Sequence, residues 1–142
     1  MQVKIKRMDK TIPLPQYHTN GSVAFDFAAR ENITIESKTI AYIPTGLIIQ
    51  TPPGYMLSVV ARSSLAKKKG LMLGNGIGVI DQDYCGPEDE IKIMVYNFTD
   101  SPAVVERGER IAQGIFVRID TAQWTETDEI TSQSRGGFGS TG

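Results

Sequence analysis

The chain reverses direction too often to be built from long helices. Fourteen glycines and seven prolines are spread through its 142 residues. The apolar residues between them fall in short runs with a period of two, the mark of half-buried strands. Residues 91–98 are the clearest case. Ile91, Ile93 and Val95 share one face, and Lys92, Met94 and Tyr96 share the other. Residues 111–119 also alternate, with Ile111, Ile115, Val117 and Ile119 on one face and Gln113 set among them. Further strands are expected at 23–28, 33–35, 39–43, 46–50 and 55–61. Turns are expected at Glu36-Ser37-Lys38 and Thr51-Pro52-Pro53-Gly54. One short helix fits after Ser63 or Ser64, running through Lys68 and ended by Gly70. The expected class is all-β, a barrel or sandwich of jelly-roll type.

An apolar fraction of 40% supplies a core without metal or disulfide staples. Residues 132–142 contain almost nothing to bury, so they are expected to form a flexible tail beyond a single domain spanning 1–131. A net charge of −1 gives no broad basic field for nucleic acid. The single cysteine, Cys85, cannot form an intrachain disulfide. No signal-length or membrane-length apolar run is present. A cytoplasmic protein with no membrane or nucleic-acid partner is expected.

Four segments concentrate groups that can do chemistry. Arg62-Ser63-Ser64 puts a guanidinium and two hydroxyls at a helix start, a favourable place for phosphate. Taken alone, the segment reads better as a helix cap beside a solvated arginine. Residues 75–84 place Gly76 and Gly78 before Val79-Ile80, then Asp81, Asp83 and Tyr84. Such a hairpin can offer backbone groups to the edge of a flat base. A partly desolvated Asp81 can act as a general base toward water. Taken alone, the hairpin is an ordinary turn with solvated carboxylates. Gln113 interrupts an apolar face, and a buried amide without a partner costs roughly 1–3 kcal/mol. It therefore calls for a protein group, a water or a substrate. In residues 135–142, Phe138 has no local core to enter. The tail is either disordered or a lid that orders over a ligand. Cys85, His18 and Trp124 read as structural, with Trp124 anchoring packing near the end of the last strand.

Together and in order, five stretches resemble the trimeric dUTPase family: 24–29 (Ala-Phe-Asp-Phe-Ala-Ala), 61–66 (Ala-Arg-Ser-Ser-Leu-Ala), 75–86, 108–113 and 135–142. The resemblance spans essentially the whole chain. It implies a jelly-roll-like distorted β-barrel, a homotrimer with active sites at subunit interfaces, and hydrolysis of dUTP to dUMP and pyrophosphate with Mg2+. It also implies roles for residues. Asp81 activates the water that attacks the α-phosphorus, and Gln113 holds that water or a phosphate oxygen. Arg62, Ser63 and Ser64 bind phosphates. Asn75 and the backbone of Gly78, Val79 and Ile80 read uracil, with Lys92 near the base, and Tyr84 lies under the deoxyribose. Phe138 and Gly139 close over the base, while Arg135, Ser140 and Thr141 hold the γ-phosphate. Asp26 reaches the metal through water.

The chain departs from the family pattern in places. Ala24 stands for a usual glycine and Ala61 for a usual proline. Pro87-Glu88-Asp89 is an apparent insertion. In the tail, Gln133 occupies the usual arginine position and Arg135 stands three residues before Phe138. A dCTP deaminase of the same fold would need a glutamate where Met94 stands. A nucleotide-sensing or protein-binding module is the non-enzymatic alternative.

Overall fold

A computed structural model of the chain describes residues 1–130, 133, 134 and 136. Eleven strands and one helix follow in chain order: β1 (Lys4–Arg7), β2 (Phe25–Ala28), β3 (Ile33–Ile35), β4 (Ile40–Pro44), β5 (Leu47–Gln50) and β6 (Tyr55–Ala61), then α1 (Leu65–Lys69), β7 (Leu71–Leu73), β8 (Gly78–Ile80), β9 (Lys92–Asn97), β10 (Ala103–Val105) and β11 (Arg110–Arg118). They form four small antiparallel sheets: β2-β11-β6-β8, β4-β9-β7, β1-β5 and β10-β3. The arrangement is the expected distorted jelly roll. Phe27, Ile43, Leu57, Leu71, Ile93, Val95 and Ile111 are buried in one apolar cluster between the sheets. Among the described residues no helix is long and apolar enough to cross a membrane.

Local chemistry explains most element ends. Gly54 has φ +77 and closes the Pro52-Pro53 turn, where the Tyr55 amide donates to the Pro52 carbonyl at 3.1 Å. The helix starts after Ser64 and ends at Gly70 in the left-handed conformation. Four short strands were not expected: β1, β7, β8 and β10. Each is three or four residues long, too short for a period of two to stand out.

The reading of β11 needs correcting. Ile111 does not share a face with Gln113 and Ile115. Between Arg110 and Ala112 the register against β2 shifts by one residue, a β-bulge. Ile111 and Ala112 are consecutive and both fully buried. Beyond the bulge, Gln113 lies opposite Asp26 on β2 and Val60 on β6, on the outward face of the sheet. Trp124 also differs. It lies beyond the last strand and is 93% exposed, so it packs into no core among the described residues.

The insertion at 87–89 folds into a closed turn. The Gly86 amide donates to Asp89 Oδ2 at 2.6 Å, and the Asp89 amide donates to the Gly86 carbonyl at 3.2 Å. The extra residues therefore loop out, and the chain enters β9 at Lys92, just after the buried Ile91, in the alternating register the sequence suggests.

Candidate active site

The bulge in β11 assembles the first half of the site. In a regular strand, residues 110 and 113 would face opposite sides of the sheet. The extra residue brings both to Asp26. The Asp26 side chain is only 7% exposed. Arg62 Nε donates to its Oδ1 at 2.9 Å and Arg110 Nη1 to its Oδ2 at 3.0 Å. His18 Nε2 lies 3.1 Å from the same Oδ2 and 2.9 Å from Arg110 Nη1. Arg62 also donates to the Arg110 carbonyl at 3.2 Å. One buried carboxylate thus orients two guanidiniums by charge-assisted bonds.

Sequence reasoning passed over Arg110 and read His18 as structural. His18 meets Arg110 across 92 positions of the chain, so no local pattern could join them. Ser64 occupies the helix-cap position, yet its side chain makes no capping bond. Ser63 is exposed beside it. Gln113 is half-buried, and its amide has no side-chain hydrogen bond among the described residues.

The second half is the hairpin after β7. Ile77 donates to the Asn75 carbonyl at 2.8 Å, and Gly76 takes φ +71, a conformation costly for other residues. Gly78 lies so close to Val59 that a Cβ there would sit 3.0 Å from the valine Cβ. Between this hairpin and β9 opens a narrow cleft of about 100 Å³. Asn75, Gly78, Val79, Ile80, Lys92 and Met94 line it with core residues beneath. Lys92 reaches the cleft in spite of the insertion before it.

Past β8, Asp81 is exposed in a separate open cleft with Tyr55, Met56, Gln82, Asp83 and Ile119. No side-chain ion pair or hydrogen bond engages its carboxylate among the described residues. Gln82 Nε2 ties this loop to the Tyr55 carbonyl at 3.1 Å, and the Tyr84 hydroxyl donates to the Glu90 carbonyl at 3.2 Å. Cys85 is half-buried, with its thiol toward the Gln82 carbonyl.

The two halves do not meet within one chain. Val79 and Ile80 pair with Ser58 and Leu57, which carries Asp81 level with Met56. Gln113 pairs with Val60. Four strand residues separate them, about 13 Å along the sheet. Arg135, Phe138, Gly139, Ser140 and Thr141, and the expected tail at 132–142, lie outside the described residues, apart from Gln133, Ser134 and Gly136.

Residues 10–142 match the dUTPase family model. The chain belongs to the dUTPase family. Its relatives include the deoxyuridine 5'-triphosphate nucleotidohydrolase of Desulfitobacterium hafniense, 45% identical over all of this chain and 97% of that one. The Rickettsia prowazekii protein of the same name is 39% identical with the same coverage. The crystal structure of the Streptococcus mutans dUTPase aligns with TM-score 0.79 and 32% identity, covering 87% of this chain and 100% of that one. A Staphylococcus bacteriophage 80alpha dUTPase with dUpNHpp shares the fold at TM-score 0.86 and 24% identity, covering 99% of this chain and 98% of that one.

Proposed function

We propose that this member of the dUTPase family hydrolyses dUTP to dUMP and pyrophosphate, limiting uracil entry into DNA and supplying dUMP for dTMP synthesis. The observation that carries the reading is the division of the site. A phosphate-facing cluster stands at one end of the outward sheet face, and a base-sized cleft with a free carboxylate stands at the other. Each is chemically incomplete alone. A second copy that brings its hairpin against the Asp26 cluster of the first would complete both. The outward face supports such packing, since Val79 is 57% and Val117 37% exposed there. Closure into a homotrimer gives three equivalent sites.

In the completed site, the hairpin backbone and Asn75 bind the uracil edge, with Lys92 at the mouth of the cleft. Tyr84, held by its hydroxyl on the Glu90 carbonyl, supports the deoxyribose and leaves no room for a 2′-hydroxyl. Arg62, Ser63 and Ser64 take the phosphates. Gln113 holds a water whose proton Asp81 accepts as the oxygen attacks the α-phosphorus. The bond from that phosphorus to the bridging oxygen breaks, and its electron pair leaves with pyrophosphate. Phe138 and Gly139 cover the base, and Arg135, Ser140 and Thr141 take the γ-phosphate.

Magnesium fits this donor set in one way only. Among the described residues no group of three or more His, Cys, Asp or Glu side chains comes together, and both Asp26 oxygens already accept from arginines. The ion would arrive on the triphosphate, offsetting its charge, with Asp26 reaching it through water. One solved relative of this fold is described as coordinating a structural Mg(II) ion.

The deciding experiment is a pyrophosphate-release assay over dUTP, dCTP, dTTP and UTP with magnesium, with ammonia release monitored from dCTP. Rapid pyrophosphate release confined to dUTP is expected. Ammonia from dCTP would establish a deaminase, an outcome that Met94 in the base cleft disfavours because a thioether cannot transfer protons. Absence of turnover with retained nucleotide binding would establish a sensing module.

A further inference from the structure

A second cleft opens beside the guanidinium cluster, and one cation on its lining has neither a partner among the described residues nor a part in the scheme above. Arg62, Ser64, Lys68, Lys69, Glu109 and Arg110 line a cavity of about 300 Å³. Most of its charges are already matched. Lys69 Nζ lies 2.8 Å from Glu109 Oε2 and donates to the Val104 carbonyl at 2.9 Å. Arg62 and Arg110 share Asp26, so two cations and one anion leave a single net positive charge. Lys68 is the exception. It is exposed, and no ion pair or side-chain hydrogen bond among the described residues engages its ammonium.

The position of Lys68 is specific. Its amide donates to the Ser64 carbonyl at 2.9 Å, and residues four apart stand on the same face of a helix. The Ser64 hydroxyl on that face also lacks a capping bond. A free hydroxyl and a free ammonium therefore open together on a cavity that already carries positive charge. That chemistry suits the far end of a polyphosphate. We propose that Lys68 binds the terminal phosphate of the bound triphosphate and steadies the pyrophosphate as it leaves, an inference that rests on the dUTP-hydrolase reading. Lysine suits a group that must depart, because its ammonium is a mobile point charge rather than a rigid two-pronged clamp. It gives the γ-phosphate a partner on the body of the chain, alongside the tail.

The test compares the full-length wild type with Lys68→Gln, Lys68→Arg and Lys67→Gln by titration with inorganic pyrophosphate, dUMP and a non-hydrolysable dUTP analogue. Lys68→Gln is expected to weaken pyrophosphate and analogue binding about tenfold and to leave dUMP unchanged. Lys68→Arg should recover part of the loss. Lys67→Gln removes the same charge one residue away, outside the cavity lining, and should change nothing. Unaltered pyrophosphate affinity in Lys68→Gln would overturn the assignment. Equal losses in both glutamine variants would also overturn it, by reducing the effect to general charge. A wild type that binds pyrophosphate through Lys68 but releases none from dUTP would overturn the hydrolase reading and leave the anion site standing.

Discussion

The Asp26 cluster and the Asn75–Tyr84 hairpin face the same task from opposite states. The cluster is saturated: one carboxylate, two guanidiniums and an imidazole hold one another within about 3 Å. The hairpin is shaped but bare, its turn fixed by Gly76 while Asp81 stands without a partner. If the cluster receives a polyanion as proposed, its arginines have to be oriented beforehand, or the cost of ordering them falls on substrate binding. The general base of the proposed scheme has the opposite need. A carboxylate already bonded to an arginine is a poor proton acceptor, so the role proposed for Asp81 requires that it be kept clear of such partners.

The largest expected effect removes the bare carboxylate. Asp81→Asn should lower kcat by about 10²–10⁴-fold, with analogue binding largely kept, as steady-state kinetics and calorimetry would record. Turnover at the wild-type rate would remove Asp81 from the mechanism. The next test asks whether the two regions belong to different chains. Arg62→Ala and Asp81→Asn proteins, each crippled alone, should regain activity when unfolded together and refolded. Some mixed assemblies then pair an intact hairpin with an intact cluster. No recovery in verified mixed oligomers would place the whole site within one chain.

A smaller change sharpens the hairpin side. Gly78→Ala would press a methyl against Val59, a crowding cost of roughly 1–3 kcal/mol. It should raise KM for dUTP more than it lowers kcat. A pure loss of thermal stability with unchanged KM would detach the cleft from base binding.

The smallest effect isolates pairing without a ligand. Asp9 is held well below its ordinary carboxylate value of 3.8, first by the Thr11 hydroxyl and then by Arg107. A pKa lowered in the folded state stabilises above the unfolded value, and that stabilisation fades as pH falls below it. Asp9→Asn should therefore lower Tm slightly at pH 7, with the gap to wild type closing below about pH 4. A gap that is constant with pH would mean that packing, not charge, is involved.

What the sequence disclosed follows how local each signal is. Gly54, Gly70 and the alternation of residues 91–97 act over a few residues, and their turn, cap and strand stand as read. The class of fold followed from them. Arg110 and His18 escaped because Asp26 joins them across the sheet, through a register that no short window contains. Ile111 misled for a related reason. A one-residue bulge inverts strand parity, and strict alternation reads through it. The same bulge turns Arg110 toward Asp26, so the point where the pattern fails is the point where the site is made.

The Gly86–Asp89 turn has a consequence for how this chain can change length. Its two ends are tied directly to each other, and the only further ties of the residues between them are the Glu90 amide on the Glu88 carbonyl at 2.8 Å and Lys6 Nζ on the Pro87 carbonyl at 3.3 Å among the described residues. Added residues there would lengthen a surface loop without shifting the neighbouring strand by a step. A short peptide or a fluorophore-bearing segment grafted between Pro87 and Glu88 would report on the hairpin from within a few residues of Tyr84 while leaving β9, which lines the cleft beside that hairpin, in phase.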